Sequence, residues 1–145
     1  MKSNTLRPLT LSALFAGIAA TLPAAKEKEK PMPGPIVEIG GLRPSADVFG
    51  AWDKPTRIAT EEEAAKVFEG EALAKLKEKV DFEKQIVLVF AWRGSGQDKL
   101  NHVVLESFPE QVRFSIERGR TRDLRPHVHV FALRSNVDWA AGGRR

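Results

Sequence analysis

The chain has 145 residues and contains no cysteine, which excludes disulfide bonds and a lipid anchor attached through cysteine. It carries 23 lysines and arginines against 19 acidic residues, a formal net charge of +4. This small excess does not indicate a nucleic-acid partner, because such binding requires a concentrated basic face with stacking aromatic residues. We therefore expect no nucleic acid among the partners.

Residues 1–25 have the pattern of a secretory signal peptide. Two cations precede an apolar run over residues 9–22, and the small residues Ala24 and Ala25 follow it. The run is about 14 residues long, whereas a membrane-spanning helix needs roughly 20. We expect cleavage after Ala24 or Ala25, no permanent membrane span, and export to the periplasm or the extracellular space. Loss of the two cations would lower the net charge from +4 to +2.

The rest of the sequence predicts one domain between two short polar segments. Residues 26–35 are a charged, proline-rich linker that has little to bury. Residues 36–140 contain the apolar positions and are expected to form a single globular domain. Residues 141–145 are expected to be a disordered basic tail.

The first elements of the domain are a short strand and a helical region. Residues 36–39 predict a strand that ends at a glycine pair. Thr60 and Glu63 form a capping box, because the Thr60 hydroxyl can accept from the Glu63 amide while the Glu63 carboxylate reaches back. Apolar residues at helical spacing continue to Val80. Gly70 disfavours helix, so we expect a bend or two short helices around it.

Four strands are expected after the helical region. Residues 85–92 are uncharged and rich in branched and aromatic side chains, which predicts a central strand buried on both faces. Residues 101–108, 112–116 and 127–133 alternate and predict further strands. The last of these places Val128, Val130 and Ala132 on one face, and His127, His129 and Phe131 on the other. The prediction is an α+β domain: a four- to five-stranded, mainly antiparallel meander sheet with one helix, or two short helices, on one face.

A family resemblance is carried by the segment DFEKQIVLVFAWRGSGQDKL, residues 81–100, together with the helix before it and the strands after it. Over residues 58–133 the chain resembles uncharacterised small secreted bacterial proteins and, distantly, the C-terminal domain of protease-complex-stabilising proteins. The resemblance to the protease-complex-stabilising domain implies a non-enzymatic binding role outside the cytoplasm, whereas the resemblance to the uncharacterised proteins implies no known activity.

Two polar segments are the candidate contact surface. We call residues 94–98 the glycine turn and residues 118–125 the arginine loop. Guanidinium groups bind carboxylate and phosphate at two points, so the loop could recognise an anionic partner, a sugar acid, or another envelope or secreted protein. Interleaved Glu117 and Asp123 leave open a solvated, locally paired loop. The candidate binding residues are Arg93, Ser95, Gln97, Asp98, Arg118, Arg120, Arg122 and Arg125.

The three histidines suggest an alternative function, binding of zinc or copper. His127 and His129 are two residues apart on a predicted strand and therefore point to one face. His102 lies on another strand, with Glu106 on the same face, and could supply a third ligand. A metal site requires these side chains to meet at one point. If they do not, the histidines are surface residues and no cofactor is expected.

A hydrolase is the third and weakest hypothesis. Ser95, Asp98 and His102 include the residue types of a catalytic triad, but such near neighbours on a turn and a strand rarely align. The glycines adjoin the serine, whereas a nucleophile elbow has them two positions away. We assign no catalytic residue. The sequence favours an exported, non-enzymatic binding or accessory module.

Overall fold

The computed structural model describes residues 34–142, so the predicted signal peptide and most of the linker lie outside the described residues. Within this range the chain forms seven strands and two helices. In chain order they are β1 (Ile36–Glu38), β2 (Thr56–Ile58), α1 (Glu61–Val67), α2 (Gly70–Lys79), β3 (Gln85–Gly94), β4 (Lys99–Leu105), β5 (Gln111–Glu117), β6 (Arg125–Arg134) and β7 (Asp138–Ala141).

The start of α1 has the predicted cap. The Thr60 hydroxyl accepts from the Glu63 amide at 3.2 Å, and the Glu63 carboxylate reaches back to accept from the Ala59 amide at 2.7 Å. These bonds satisfy amides that have no partner within the helix. The acidic first turn also suits the positive end of the helix dipole.

The helical region is divided into two short helices, one of the two predicted outcomes. Phe68 and Glu69 are extended, and Gly70 begins α2 with a φ of +58°, a conformation that favours glycine. Phe68 is fully buried at this break. The interruption therefore lets a large aromatic side chain enter the core between α1 and α2.

Four strands form the first sheet, in the order β1-β6-β3-β2, and all its pairs are antiparallel. The central pair β3 and β6 runs in register from Gln85 opposite Arg134 to Gly94 opposite Arg125. Residues 85–92 are all buried, as predicted for a strand covered on both faces. The first sheet is therefore built around β3.

The prediction of a single meander sheet is wrong, because β4, β5 and β7 form a second sheet. In it β4 and β5 are antiparallel, whereas β5 and β7 are parallel. The reason lies in β3: two short helices cover one of its faces, and its other apolar face needs a second layer. The outcome is still α+β and mainly antiparallel.

The two faces of the first sheet contribute to two separate cores. Val87, Val89, Val130 and Ala132 pack with the helices. The opposite face packs against the second sheet, where the rings of Phe90, Phe114 and Phe131 lie 4.6 to 5.8 Å apart. The alternation predicted for β6 is confirmed, with its histidines on the side of the second sheet. No helix among residues 34–142 is long and apolar enough to cross a membrane.

Candidate functional site

The glycine turn and the arginine loop meet at one end of the two sheets. The glycine turn leads from β3 in the first sheet to β4 in the second, and the arginine loop leads from β5 back to β6. The ladders place Gly94 opposite Arg125 and Lys99 opposite Glu117. Both crossings therefore occur at the same end, and the two segments predicted as one contact surface are brought together.

Asp98 connects the two segments through its buried carboxylate, whose side chain is only 1% exposed. Its Oδ1 accepts from the Gly119 amide at 2.8 Å. Its Oδ2 accepts from Trp92 Nε1 at 3.1 Å and from Arg118 Nη1 at 3.4 Å. A buried charge is tolerated when it is paired and hydrogen-bonded in this way. Asp98 thus joins the glycine turn to the arginine loop on their buried side.

Burial raises the pKa of Asp98, but the hydrogen bonds from Gly119 and Trp92 and the electrostatic effects of Arg118 and His127 outweigh it. The net result is a pKa below the ordinary value of 3.8. Asp98 is therefore a carboxylate at neutral pH. This charge state matches its three hydrogen-bond donors.

Gly119 is required at its position by the closeness of the two segments. A Cβ atom there would lie 2.8 Å from the Gln97 carbonyl carbon, and it would also meet the Ser95 hydroxyl. Backbone cannot move aside as a flexible side chain can. The small residue lets the arginine loop approach the glycine turn closely enough to bond with Asp98.

A second set of bonds fixes the outer part of the contact. Asp123 accepts from the Gly96 amide at 3.1 Å and forms an ion pair with Arg125, whose Nε lies 2.6 Å from Asp123 Oδ2. Ser95 Oγ and Thr121 Oγ1 are 2.5 Å apart. The hydrogen bonds from Thr121 and Gly96, followed by the Arg125 charge, lower the pKa of Asp123 to about 2. The two segments are joined at both their buried and exposed sides.

His127 supports the glycine turn from the first sheet. Its Nε2 lies 2.7 Å from the Ser95 carbonyl oxygen, to which it can donate. Its ring stacks on Trp92, with centroids 4.8 Å apart and planes 12° from parallel. His127 thereby ties the exposed turn to the buried end of β3.

A shallow depression of about 390 Å³ lies where the turn, the loop and the ends of β4 and β5 meet. We call it the basic depression. Its lining has three cations and one carboxylate, and the Arg120 amide is held by Gln97 Oε1 at 3.4 Å. The lining residues are Gln97, Lys99, Glu117, Arg118, Gly119 and Arg120.

The predicted binding residues divide into three groups. Gln97, Arg118 and Arg120 line the basic depression, whereas Ser95 and Asp98 support it through hydrogen bonds. The remaining three arginines lie outside the lining: Arg93 sits over the Phe49 ring at 4.9 Å, Arg125 pairs with Asp123, and Arg122 is exposed.

Sequence reasoning did not identify Lys99 or Gly119. Lys99 follows a turn and precedes an alternating strand, so its contribution depends on the β4–β5 register that sets it opposite Glu117. Gly119 lies inside a charged loop and gives no signal of its contact with Gln97. Both residues acquire their roles only from the way the strands and loops pack together.

The histidines share aromatic neighbours, since His127 and His129 both stack on Trp92, but their polar contacts differ. His129 Nδ1 is 3.2 Å from Glu38 Oε1, and His102 packs against the rings of Phe114 and Phe131. His127 contacts the Ser95 carbonyl as described above. Among residues 34–142 no group of three or more histidines and acids is placed to hold a metal ion.

Ser95 has no histidine partner for its hydroxyl among the described residues. Its Oγ contacts Thr121 Oγ1 and accepts from the Gln97 amide at 3.2 Å. Nucleophilic catalysis needs a base within hydrogen-bonding reach of the nucleophile. The arrangement of Ser95 is that of a turn-stabilising residue.

No family model matches the chain, and no curated protein or solved structure shows significant similarity to it. The resemblance to small secreted bacterial proteins stays a prediction. Function must therefore be argued from the site itself.

Proposed function

We propose that this protein is an exported, non-enzymatic binding module that takes an anionic ligand at the basic depression. The observation that carries the proposal is the charge of the lining: Lys99, Arg118 and Arg120 against a single carboxylate, Glu117. Clustered cations around a concave surface attract an anion and offer charge-assisted hydrogen bonds.

The cations retain free hydrogen-bonding capacity. Arg118 directs Nη1 to Asp98, yet its side chain is 59% exposed, which leaves other guanidinium donors for a ligand. Within residues 34–142, neither Arg120 nor Lys99 forms an ion pair. An incoming anion would therefore not have to displace an internal partner from these two side chains.

The floor of the depression is held in place before a ligand arrives. Asp98 fixes Gly119, and Gln97 fixes the Arg120 amide, so the loop that bears two of the cations is anchored on both sides. Preorganisation reduces the entropy lost on binding. This anchoring distinguishes the loop from a freely moving arginine-rich segment.

The expected affinity is modest. A hydrogen bond to a charged group contributes about 1.5–3 kcal/mol, so two such contacts give roughly 3–6 kcal/mol. That corresponds to a dissociation constant between about 6 mM and about 0.04 mM at low salt. Because the cations are exposed, added salt should weaken binding.

Titration of ¹⁵N-labelled protein tests the proposal. The probe is tri-glutamate, acetylated and amidated at its ends, with tri-glutamine capped in the same way as the neutral control. We expect the amide signals of Gln97, Gly119 and Arg120 to shift with tri-glutamate only. Absence of any saturable shift, or shifts confined to the opposite end near Ser107, would contradict it.

Export is the second part of the proposal and rests on the sequence of residues 1–25. N-terminal sequencing of the protein recovered from its native source is expected to begin at Ala25 or Lys26. Recovery of the chain starting at Met1 would contradict export with cleavage.

A further inference from the structure

We infer that the ligand of the basic depression is an acidic carbohydrate, a molecule that presents hydroxyl groups beside its negative charge. The inference rests on the proposed function and names the ligand class for the same site. It follows from two polar groups in the lining that binding of a simple anion does not require: the carboxylate of Glu117 and the side-chain amide of Gln97.

Glu117 is an acceptor in an otherwise cationic surface. It lies directly opposite Lys99 in the β4–β5 ladder, is exposed, and forms no ion pair with another residue of the described range. A carboxylate accepts hydrogen bonds and repels anions. A ligand that covers it favourably must bring donors such as hydroxyl groups along with its own charge.

Gln97 adds a neutral donor. Its Oε1 accepts from the Arg120 amide at 3.4 Å, which leaves the NH₂ end of the same side chain without a partner among residues 34–142. The lining thus combines cations, a neutral donor and a carboxylate acceptor within one concave surface. An acidic sugar carries the matching set, a carboxylate with neighbouring hydroxyls on a single ring.

The size of the depression agrees with this class of ligand. Its volume of about 390 Å³ falls within the range of roughly 300–1,000 Å³ usual for small-molecule sites and exceeds what one inorganic anion fills. The described lining includes no aromatic ring. A neutral sugar could neither pair with the cations nor stack on an aromatic ring here. The attraction must therefore come from a negative charge on the ligand.

An acidic peptide is the competing ligand, and three probes separate the possibilities. Trigalacturonate has carboxylates and hydroxyls, capped tri-glutamate has carboxylates without hydroxyls, and maltotriose has hydroxyls without charge. We expect trigalacturonate to bind at least tenfold more tightly than tri-glutamate, with maltotriose not binding. Equal affinity for the two acidic probes would overturn the inference while leaving the proposed function intact. No binding of either acidic probe would contradict the proposed function itself.

The variant Glu117→Gln tests the acceptor directly. Loss of the negative charge should strengthen tri-glutamate binding. For trigalacturonate that gain is opposed, because the hydroxyl groups then donate to a neutral amide oxygen, a weaker acceptor than a carboxylate. We expect the preference for trigalacturonate to fall at least fivefold. An unchanged preference would overturn the inference. Glu106→Gln is the matched control, since Glu106 is an exposed acid outside the lining, and it should leave the preference unchanged.

Discussion

The indole N–H of Trp92 donates to Asp98 Oδ2 at 3.1 Å, and this bond joins the aromatic core to the surface where the two loops meet. Trp92 is 1% exposed at the end of β3. Asp98 in turn holds Gly119 in the arginine loop. The position of the basic depression therefore depends on a buried contact between one aromatic side chain and one carboxylate.

Replacement of this carboxylate should destabilise the fold. Asp98→Ala leaves the indole N–H of Trp92 and the amide of Gly119 without their acceptor, and a buried unpaired donor costs about 1–3 kcal/mol. We expect a loss of about 3 kcal/mol in the free energy of unfolding, measured by urea denaturation. Asp47→Ala, at an exposed position, is the control. A loss below about 0.5 kcal/mol would show that Asp98 does not organise the site.

Acid should weaken the fold through Asp98 and Asp123. Both have a folded-state pKa below the ordinary 3.8, and that of Asp123 is about 2. A depressed pKa contributes stability that is complete above the unfolded value and is lost as pH falls through the folded value. We expect the free energy of unfolding to decline as pH falls from about 5 towards 2.

The variant Asp98→Asn measures how much of this pH-dependent loss of stability comes from Asp98. It lacks the ionisable group, so its unfolding free energy should fall less steeply over the same pH range than that of the wild-type protein. Identical slopes for the two proteins would indicate that Asp98 has the same pKa in the folded and unfolded states.

The close approach at Gly119 predicts a steric cost for any side chain there. Gly119→Ala places a methyl group against the backbone of Gln97, and overpacking of this kind costs about 1–3 kcal/mol. Gly50→Ala is the matched control, because a Cβ at Gly50 meets nothing within 4 Å. The control should be neutral or slightly stabilising. Thermal unfolding of both variants measures the difference, and equal melting temperatures would contradict the packing described at Gly119.

The metal hypothesis has its own test. A ligand that binds only the folded state raises stability. Because no group of three histidines and acids among residues 34–142 is placed to hold a metal ion, we expect the melting temperature of chelator-treated protein to be unchanged by excess zinc or copper. A saturable increase, abolished by His127→Gln, would establish a metal site.

Elements with strong local signals could be predicted from the sequence. The Thr60 cap, the break at Gly70 and the doubly buried strand β3 each depend on residues close together in the chain. The faces of β6 followed from alternation alone. These features are local, so one sequence is sufficient to predict them.

The second sheet could not be predicted in the same way. β7 has only four residues, too few for a periodic pattern, and it pairs in parallel with β5, from which β6 separates it in the chain. Assignment of strands to two sheets depends on tertiary packing. The same holds for the site. The arginines could be recognised in the sequence, whereas the burial of Asp98 and the position of Lys99 in the lining depend on tertiary packing.

A comparison of Arg120→Gln with Arg122→Gln tests the central claim most directly. Both residues are exposed arginines of the arginine loop, but only Arg120 lines the basic depression. Binding of capped tri-glutamate, measured by calorimetry at low salt, should weaken at least about tenfold in Arg120→Gln, the loss of one charge-assisted contact, and less than about twofold in Arg122→Gln. Equal losses in the two variants, or a greater loss in Arg122→Gln, would contradict an anion site at the basic depression.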